Sequence, residues 1–335
     1  MTKPDRPSKG PTIYDVAAAA GVAPSTVSRT FARPGRVNAE TAARVREAAV
    51  RLGYRTSPVP GAPGAVGTRL VAIVVADVTN PFHFAIIRGA EEAATDAGYT
   101  MVLADAQESA RREREFLDRA VTTVEGVVLA SPRISDSAIR SIAKQVPTMV
   151  LNRAVPDVPS VITDIPLGVC RAVEHLGGLE HESVTYIAGP EASWTDGMRW
   201  RAMRDAGAEL GVRVRRIGPF APTVGGGREA AAALVGQSPS AVIAYNDLLA
   251  IGVMRGLQAR GLKVPDDVSV VGFDDIFAAD LITPGLTTVA APLRRLGETA
   301  MRNLVAIIGG ARSRSGEAVT VPTRLIVRDS TALCR

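Results

Sequence analysis

The sequence predicts two kinds of fold in one chain: an N-terminal all-α helix-turn-helix headpiece, then an α/β body of two lobes, each a doubly wound parallel sheet. Three observations carry this. Thr12 to Phe31, TIYDVAAAAGVAPSTVSRTF, reads as two short helices joined at Gly21-Val22. Beyond Leu70, continuous apolar stretches of strand length alternate with helical stretches in two successive series. Charge divides along the same line, since residues 1–69 hold 11 Lys and Arg against 4 Asp and Glu while the rest hold 28 against 30. A basic helical unit ahead of a near-neutral body suits binding of a polyanion, weakening as salt rises.

In the headpiece, Thr12 is placed to cap the first helix by accepting from the Asp15 amide, and Asp15 puts negative charge where the helix dipole favours it. Gly21 supplies the sharp turn. Pro24 stands where a first-turn proline costs no hydrogen bond, so the second helix runs from about Ala23 to Ala32. Val27 and Phe31, four apart, share the side that faces Val16 and Ala20, whereas Ser25, Ser28 and Arg29 gather opposite. A small, hydroxylic and basic face fits a major groove, where Arg pairs bidentately with guanine and Ser reaches base edges or phosphates. Asn38 opens a third helix in which Val45, Ala48, Ala49 and Leu52 recur at helical spacing up to Gly53.

The string TIYDVAAAAGVAPSTVSRTFARPGRVNAETAARVREAAVRLGY closely resembles the DNA-binding domain of LacI/GalR-family transcription regulators at nearly every position. The resemblance implies that Pro24, Ser25 and Arg29 stand at base-reading positions, with Tyr14, Thr26, Ser28, Arg36, Asn38 and Thr41 near phosphates. Two residues depart from the family pattern: Pro24 has no donor with which to read a base, and Ala32 replaces the usual Asn. After Tyr54, prolines 58, 60 and 63 and glycines 61, 64 and 67 forbid regular structure in the free chain. Family members carry a hinge helix there whose leucine wedges into the minor groove. Here Pro63 falls at the wedge position, which implies weaker bending of DNA and looser coupling between body and headpiece.

Composition places the chain among ordinary globular proteins, with 46% hydrophobic and 22% charged residues. Cys170 and Cys334 form no disulfide framework and match no metal spacing. The opening MTKPDRPSKGP has no apolar core like that of a signal peptide, and no apolar run reaches membrane-spanning length, so a cytoplasmic protein with no membrane partner is expected. Boundaries follow at 1–56 for the DNA-binding domain with a basic tail at 1–11, 57–69 for the linker, and 70–335 for the body.

The body's first series contains LVAIVVAD, YTMVLAD, GVVLAS and PTMVLNR; the second contains SVTYIAG, VRVRRIG, AVIAYN and VSVVGFDD. Ligands of such sheets bind off the carboxyl ends of the strands, where Asp77, Asn80, Arg153, Asp164, Arg199, Asn246, Asp247, Asp274 and Asp275 collect. The same residues also serve as caps and turn formers, and both readings stand on pattern alone. The family resemblance extends here through NPF, LNR, TD, YND and GFDD. It implies a periplasmic-binding-protein-like body that the chain crosses three times, with lobe 1 at about 70–164 and 292–322 and lobe 2 at about 165–291 and 323–335. It further implies an effector pocket in which Arg199, Asn246 and Asp274 grip hydroxyls or a polar ring. Asn80, Arg153 and Asp164 add polar contacts, Phe82, Phe84, Trp194 and Phe220 apolar walls, and His83 a possible ligand contact.

Paired Asp and Arg beside aromatic rings suit a sugar, although a nucleobase would use much the same set. His83, His175 and His181 show no HExxH spacing, no GxSxG or P-loop occurs, and Gly225-Gly226-Gly227 lacks dinucleotide-binding spacing, so no catalytic residue, metal or cofactor is expected. A carbohydrate-binding transport protein is the rival for the body taken alone. The whole chain instead implies a homodimeric repressor of near-palindromic DNA, controlled by a small molecule.

Overall fold

The computed structural model describes residues 12–32, 37–52, 67–311 and 318–334. Arg36, the basic tail and residues 57–66 of the linker lie outside them. The chain divides at Thr68/Arg69 into two compact units.

Among its described residues, the first unit holds three helices: α1 (Ile13–Ala20), α2 (Pro24–Ala32) and α3 (Ala39–Leu52). The Thr12 amide and hydroxyl both donate to Asp15 Oδ2 at 2.6 Å, and these bonds hold the Asp15 carboxyl below its ordinary pKa. Gly21 ends α1 in the left-handed region, φ +65°, which a side chain would resist. Asn38 Oδ1 accepts from the Thr41 amide at 2.7 Å and starts α3. Val16, Ala17, Ala20, Val27, Val45, Ala48 and Ala49 close one small core, with Phe31 packed on its edge. Leu52, expected on that stripe, is exposed instead, because it lies in the last turn beyond the reach of α1 and α2.

The second unit contains two six-stranded sheets. In the first lobe β1 (Leu70–Val75), β2 (Thr100–Asp105), β3 (Gly126–Ala130), β4 (Thr148–Leu151) and β5 (Ser160–Thr163) alternate with α4 (Phe82–Asp96), α5 (Ala110–Ala120) and α6 (Asp136–Ala143). The second lobe holds α7 (Ile165–Gly178), β6 (Ser183–Ile187), α8 (Trp194–Leu210), β7 (Arg213–Ile217), α9 (Val224–Leu234), β8 (Ala241–Ala244), α10 (Asp247–Gln258), β9 (Ser269–Asp274), α11 (Ala278–Leu281) and β10 (Thr287–Ala290). The chain then returns to the first lobe as α12 (Leu293–Ile308) and β11 (Val319–Val321), and ends in the second with β12 (Arg324–Ile326).

Sheet order is β11-β5-β4-β3-β1-β2 and β12-β10-β9-β8-β6-β7. Every pairing is parallel except β10 with β12. That exception to the expected parallel sheets follows from the crossings: β10 leads out of the second lobe and β12 leads back in. Strands buried on both faces, such as Val71–Val75 and Val127–Ala130, account for the unbroken apolar runs in the sequence.

Two glycine contacts fix helix positions. A Cβ on Gly297 of α12 would collide with the Ile86 carbonyl of α4, and one on Gly89 with the Arg294 carbonyl, so the pair packs backbone to backbone. Helix α9 begins at Val224, because Thr223 caps it by accepting from the Gly226 amide at 3.1 Å. Gly227 lies inside the helix, where a Cβ would meet the Leu249 carbonyl of α10.

Candidate DNA-reading face and ligand cleft

In the headpiece, Val27 is buried while Ser25, Ser28 and Arg29 are exposed on the outer side of α2. Pro24 and Thr26 are half-buried, and the Thr26 carbonyl accepts from the Thr30 hydroxyl at 2.8 Å. Tyr14 is 70% exposed at the start of α1, and Asn38 is exposed at the start of α3 beside half-buried Thr41. The unit therefore offers Arg29, hydroxyls and a phenol to solvent, with the apolar residues of its core turned inward.

In the body, the carboxyl ends of both sheets meet at a cleft whose empty space, counting its mouth, is about 650 Å³. Of the residues singled out from sequence, Asn80, Phe82, His83, Arg199 and Asp274 line it. Arg199 comes from α8 and Asp274 from the end of β9. The Arg199 guanidinium lies over the Phe273 ring at 4.2 Å and the Tyr245 ring at 5.0 Å, donates to the Tyr245 carbonyl, and approaches Asp274 Oδ1 at 3.4 Å. Burial pushes the Asp274 carboxyl up to about 7 despite the opposing Arg199 charge. The backbone of Asp274 also sits at φ +109°, a region costly for a residue with a Cβ, which aims the carboxylate into the cleft from the strand end.

On the first lobe's side, Arg133 Nε and Nη2 form a fork with Glu108 at 2.6 and 3.0 Å, and Nη1 donates to the Ser131 carbonyl at 2.9 Å. Burial works against the Arg133 charge, but the Tyr245 phenol and Glu108 hold its pKa above the ordinary value. His83 is 2% exposed; burial first, then the Arg133 charge, pushes its pKa down to about 3 against the pull of Asp77, so the ring is neutral. Asn152 takes φ +57° and donates from Nδ2 to Ser131 Oγ at 3.3 Å. Phe82 packs against the cores of both lobes.

The other six residues expected in the effector pocket lie off the lining, as do Asp77, Asp247 and Asp275. Phe84 is 48% exposed, turned most of the way round α4 from Phe82. Arg153 turns to Asp136 at 2.5 Å and to the Pro132 and Ile134 carbonyls, because the left-handed turn at Asn152 gives the cleft position to Asn152 itself. Asp164 caps α7 by accepting from Leu167 at 3.0 Å, and Asn246 caps α10 by accepting from Leu249 at 2.9 Å. Trp194 and Phe220 pack on the hydrophobic cores of the second lobe. Asn80, though in the lining, also accepts from the Phe82 amide at 3.1 Å. Asp247, fully buried, accepts from the Thr288 hydroxyl at 2.6 Å and the Ile276 amide at 2.9 Å; burial and the Asp274 charge hold its pKa well above the usual carboxylate range.

The cleft adds residues that sequence reasoning had passed over, chief among them Glu108, Ser131, Arg133, Asn152, Thr195, Tyr245 and Phe273. The strand-end rule applies to Ser131-Pro132-Arg133 after β3 as it does to Asn80, and Tyr245 and Phe273 lie inside the quoted YND and GFDD strings.

A helix-turn-helix unit with a hydroxylic, basic outer face, joined to a two-lobed body with a polar cleft, is the architecture of a DNA-binding regulator with a ligand-binding body. Residues 12–57 match the model for bacterial regulatory proteins of the lacI family, and residues 173–331 match the periplasmic binding protein-like domain. The chain is 31% identical over 331 residues to the HTH-type transcriptional regulator DegA of Bacillus subtilis, covering 96% of this chain and 98% of that one. It is 32% identical over 330 residues to the HTH-type transcriptional repressor CytR of Escherichia coli, covering 96% of each. Among solved structures, the transcriptional regulator CelR in complex with cellobiose superposes with a TM-score of 0.71 at 29% identity, covering 96% of this chain and 99% of that one. A LacI family regulator from Enterococcus faecium with bound ribose gives 0.71 at 27% identity over 79% of this chain and all of the other. The chain belongs to the lacI family and is a DNA-binding transcriptional regulator.

Proposed function

We propose that this regulator is a homodimeric repressor whose affinity for a near-palindromic operator is set by a sugar bound between the lobes, acting in the cytoplasm as a binding protein and not as an enzyme. The observation that carries the ligand class is a set of buried polar atoms without partners in the cleft: His83 Nδ1, Asn152 Oδ1 and Arg199 Nε. Each unpaired buried group costs about 1–3 kcal/mol, which a ligand rich in hydroxyls removes because a hydroxyl both donates and accepts. Phe82 and Phe273 in the lining supply apolar surface for a sugar's C–H groups. Relatives with bound cellobiose and ribose agree with this reading.

On DNA, each headpiece sets α2 into one major-groove half-site, with Arg29 and Ser25 reading bases and Tyr14, Thr26, Ser28, Asn38 and Thr41 on phosphates. A ligand that draws the lobes together around Phe82 shifts the balance between body conformations. By linkage DNA then changes ligand affinity by the same factor, commonly about 1–3 kcal/mol. The apolar stripe of α12 is consumed inside the first lobe against α4 and leaves none for a dimer contact. Exposed Phe84, Leu103, Phe277 and Leu281 offer apolar surface in its place.

A thermal-shift screen of sugars, polyols and nucleobases, run on the natural chain and Asp274→Ala, tests the reading. The expected result is a sugar that raises the melting temperature of the natural chain alone and changes its affinity for operator DNA in fluorescence anisotropy. A nucleobase hit in place of any sugar refutes the ligand class, and no hit at all removes the cleft from the control of DNA binding.

A further inference from the structure

The cleft contains two cations and two carboxylates, and each is answered within the protein. We infer that the cleft selects an uncharged sugar and rejects its phosphorylated or carboxylated counterpart, a selectivity that rests on the sugar reading above and narrows it. Arg133 spends Nε and Nη2 on Glu108 and Nη1 on the Ser131 carbonyl. Arg199 spends Nη1 on the Tyr245 carbonyl and directs Nη2 to Asp274, with its faces over Phe273 and Tyr245. His83 adds no charge, because its ring is neutral. Each cation thus already has a carboxylate partner, and an entering phosphate would face Glu108 and the ionised fraction of Asp274 or have to displace them, leaving a buried carboxylate uncompensated.

Helix starts beside the cleft are also partly closed. At α4, α7, α8 and α10 an amide of the first turn is taken by the chain's own oxygen: Asn80 to Phe82, Asp164 to Leu167, Ser193 to Asp196, and Asn246 to Leu249. An anion arriving at these ends would compete with a bond already made, and at α7 with the Asp164 carboxylate itself. Among the fully buried side-chain atoms of the lining, those without a partner are Arg199 Nε, a donor, Asn152 Oδ1, an acceptor, and His83 Nδ1, whose role follows the tautomer. These residues are 8%, 4% and 2% exposed, so they address a bound molecule and not bulk water. Hydroxyls answer all three atoms. A phosphate dianion has acceptors only, so where it replaces a hydroxyl in the cleft it can answer Arg199 but not the Asn152 oxygen.

The experiment is calorimetric titration of the full-length chain and Glu108→Gln with matched pairs: D-ribose and ribose 5-phosphate, D-glucose and glucose 6-phosphate, D-fructose and fructose 6-phosphate. The neutral member of at least one pair binds, its ester binds at least about 100-fold more weakly, and affinity for the neutral member is the same in 50 mM and 500 mM salt. Glu108→Gln, which frees Arg133, narrows the gap within that pair by about tenfold or more. An ester that binds the natural chain as tightly as its sugar overturns the neutrality and leaves the sugar cleft standing. A gap unchanged in Glu108→Gln overturns the Glu108–Arg133 pairing as its cause. Binding by neither member of any pair overturns the sugar reading itself.

Discussion

Asp274 stands at the end of β9 with its carboxyl buried beside Arg199, and its proton affinity ties the stability of the body to pH. Its folded pKa of about 7 exceeds the unfolded value of 3.8, so the native state holds the proton more tightly than the unfolded chain. A carboxylate raised in this way destabilises the fold as pH rises from about 4, and the cost levels off above pH 7. At about 1.4 kcal/mol per pKa unit, the cost grows by roughly 2.5 kcal/mol between pH 5 and pH 8. Asp274→Asn removes the titration while keeping the shape. Urea melts of the two proteins at pH 5, 6, 7 and 8 give the contribution of Asp274 together with its coupling to Asp247, because His83, His175 and His181, whose lowered pKa values act in the opposite sense, are common to both. The variant gains on the natural chain by roughly 2.5 kcal/mol over that range. Parallel curves, with a difference constant to within about 0.5 kcal/mol, would refute the argument that Asp274 is buried with only partial compensation from Arg199.

Further expectations follow from the same geometry. A sugar hydroxyl that donates to ionised Asp274 binds more tightly as pH rises from 6 to 8, by up to about tenfold, in titrations of the body with its ligand. Arg29→Ala abolishes discrimination between operator and random DNA, a loss of about 1–3 kcal/mol, and leaves ligand titrations unchanged; retained discrimination in anisotropy assays would remove Arg29 from the reading face. Gly297→Ala forces α12 off α4 and lowers stability by about 1–3 kcal/mol or more in urea melts, whereas the same change at exposed Gly236 does not. From sequence, Pro60, Gly61 and Pro63 predict that operator DNA bends less than with a leucine-wedge relative in a circular-permutation gel.

The layered architecture was legible because burial on both sheet faces leaves unbroken apolar strands, and because caps and glycines mark the helix ends. The antiparallel β12 was not, since three residues between turns carry no record of direction. In the cleft, strand-end position plus family landmarks singled out Asn80, Phe82, His83, Arg199 and Asp274. The same logic named Arg153 and passed over Asn152 one residue earlier, because the left-handed backbone that settles which of the two faces the cleft depends on tertiary packing. Asp164 and Asn246 illustrate another limit: a carboxylate or amide at a helix start serves as a cap as well as a ligand contact, and sequence gives both the same appearance. Arg133 escaped notice because its partner Glu108 belongs to a different strand-to-helix connection, and only the sheet order brings the two together.

The packing of α12 against α4 also governs the order in which the body is completed during synthesis. Helix α4 emerges from the ribosome about two hundred residues ahead of the glycine face that closes over it. Until Leu293–Ile308 has been made, the first lobe lacks one of its own walls, with Ile86, Ala90 and Ala93 uncovered on that side. The headpiece, whose seven-residue core draws only on helices made at the outset, has no such dependence. A chain stopped before residue 293 therefore carries a complete DNA-reading surface on an unfinished body, and chaperones and proteases meet that exposed apolar face first.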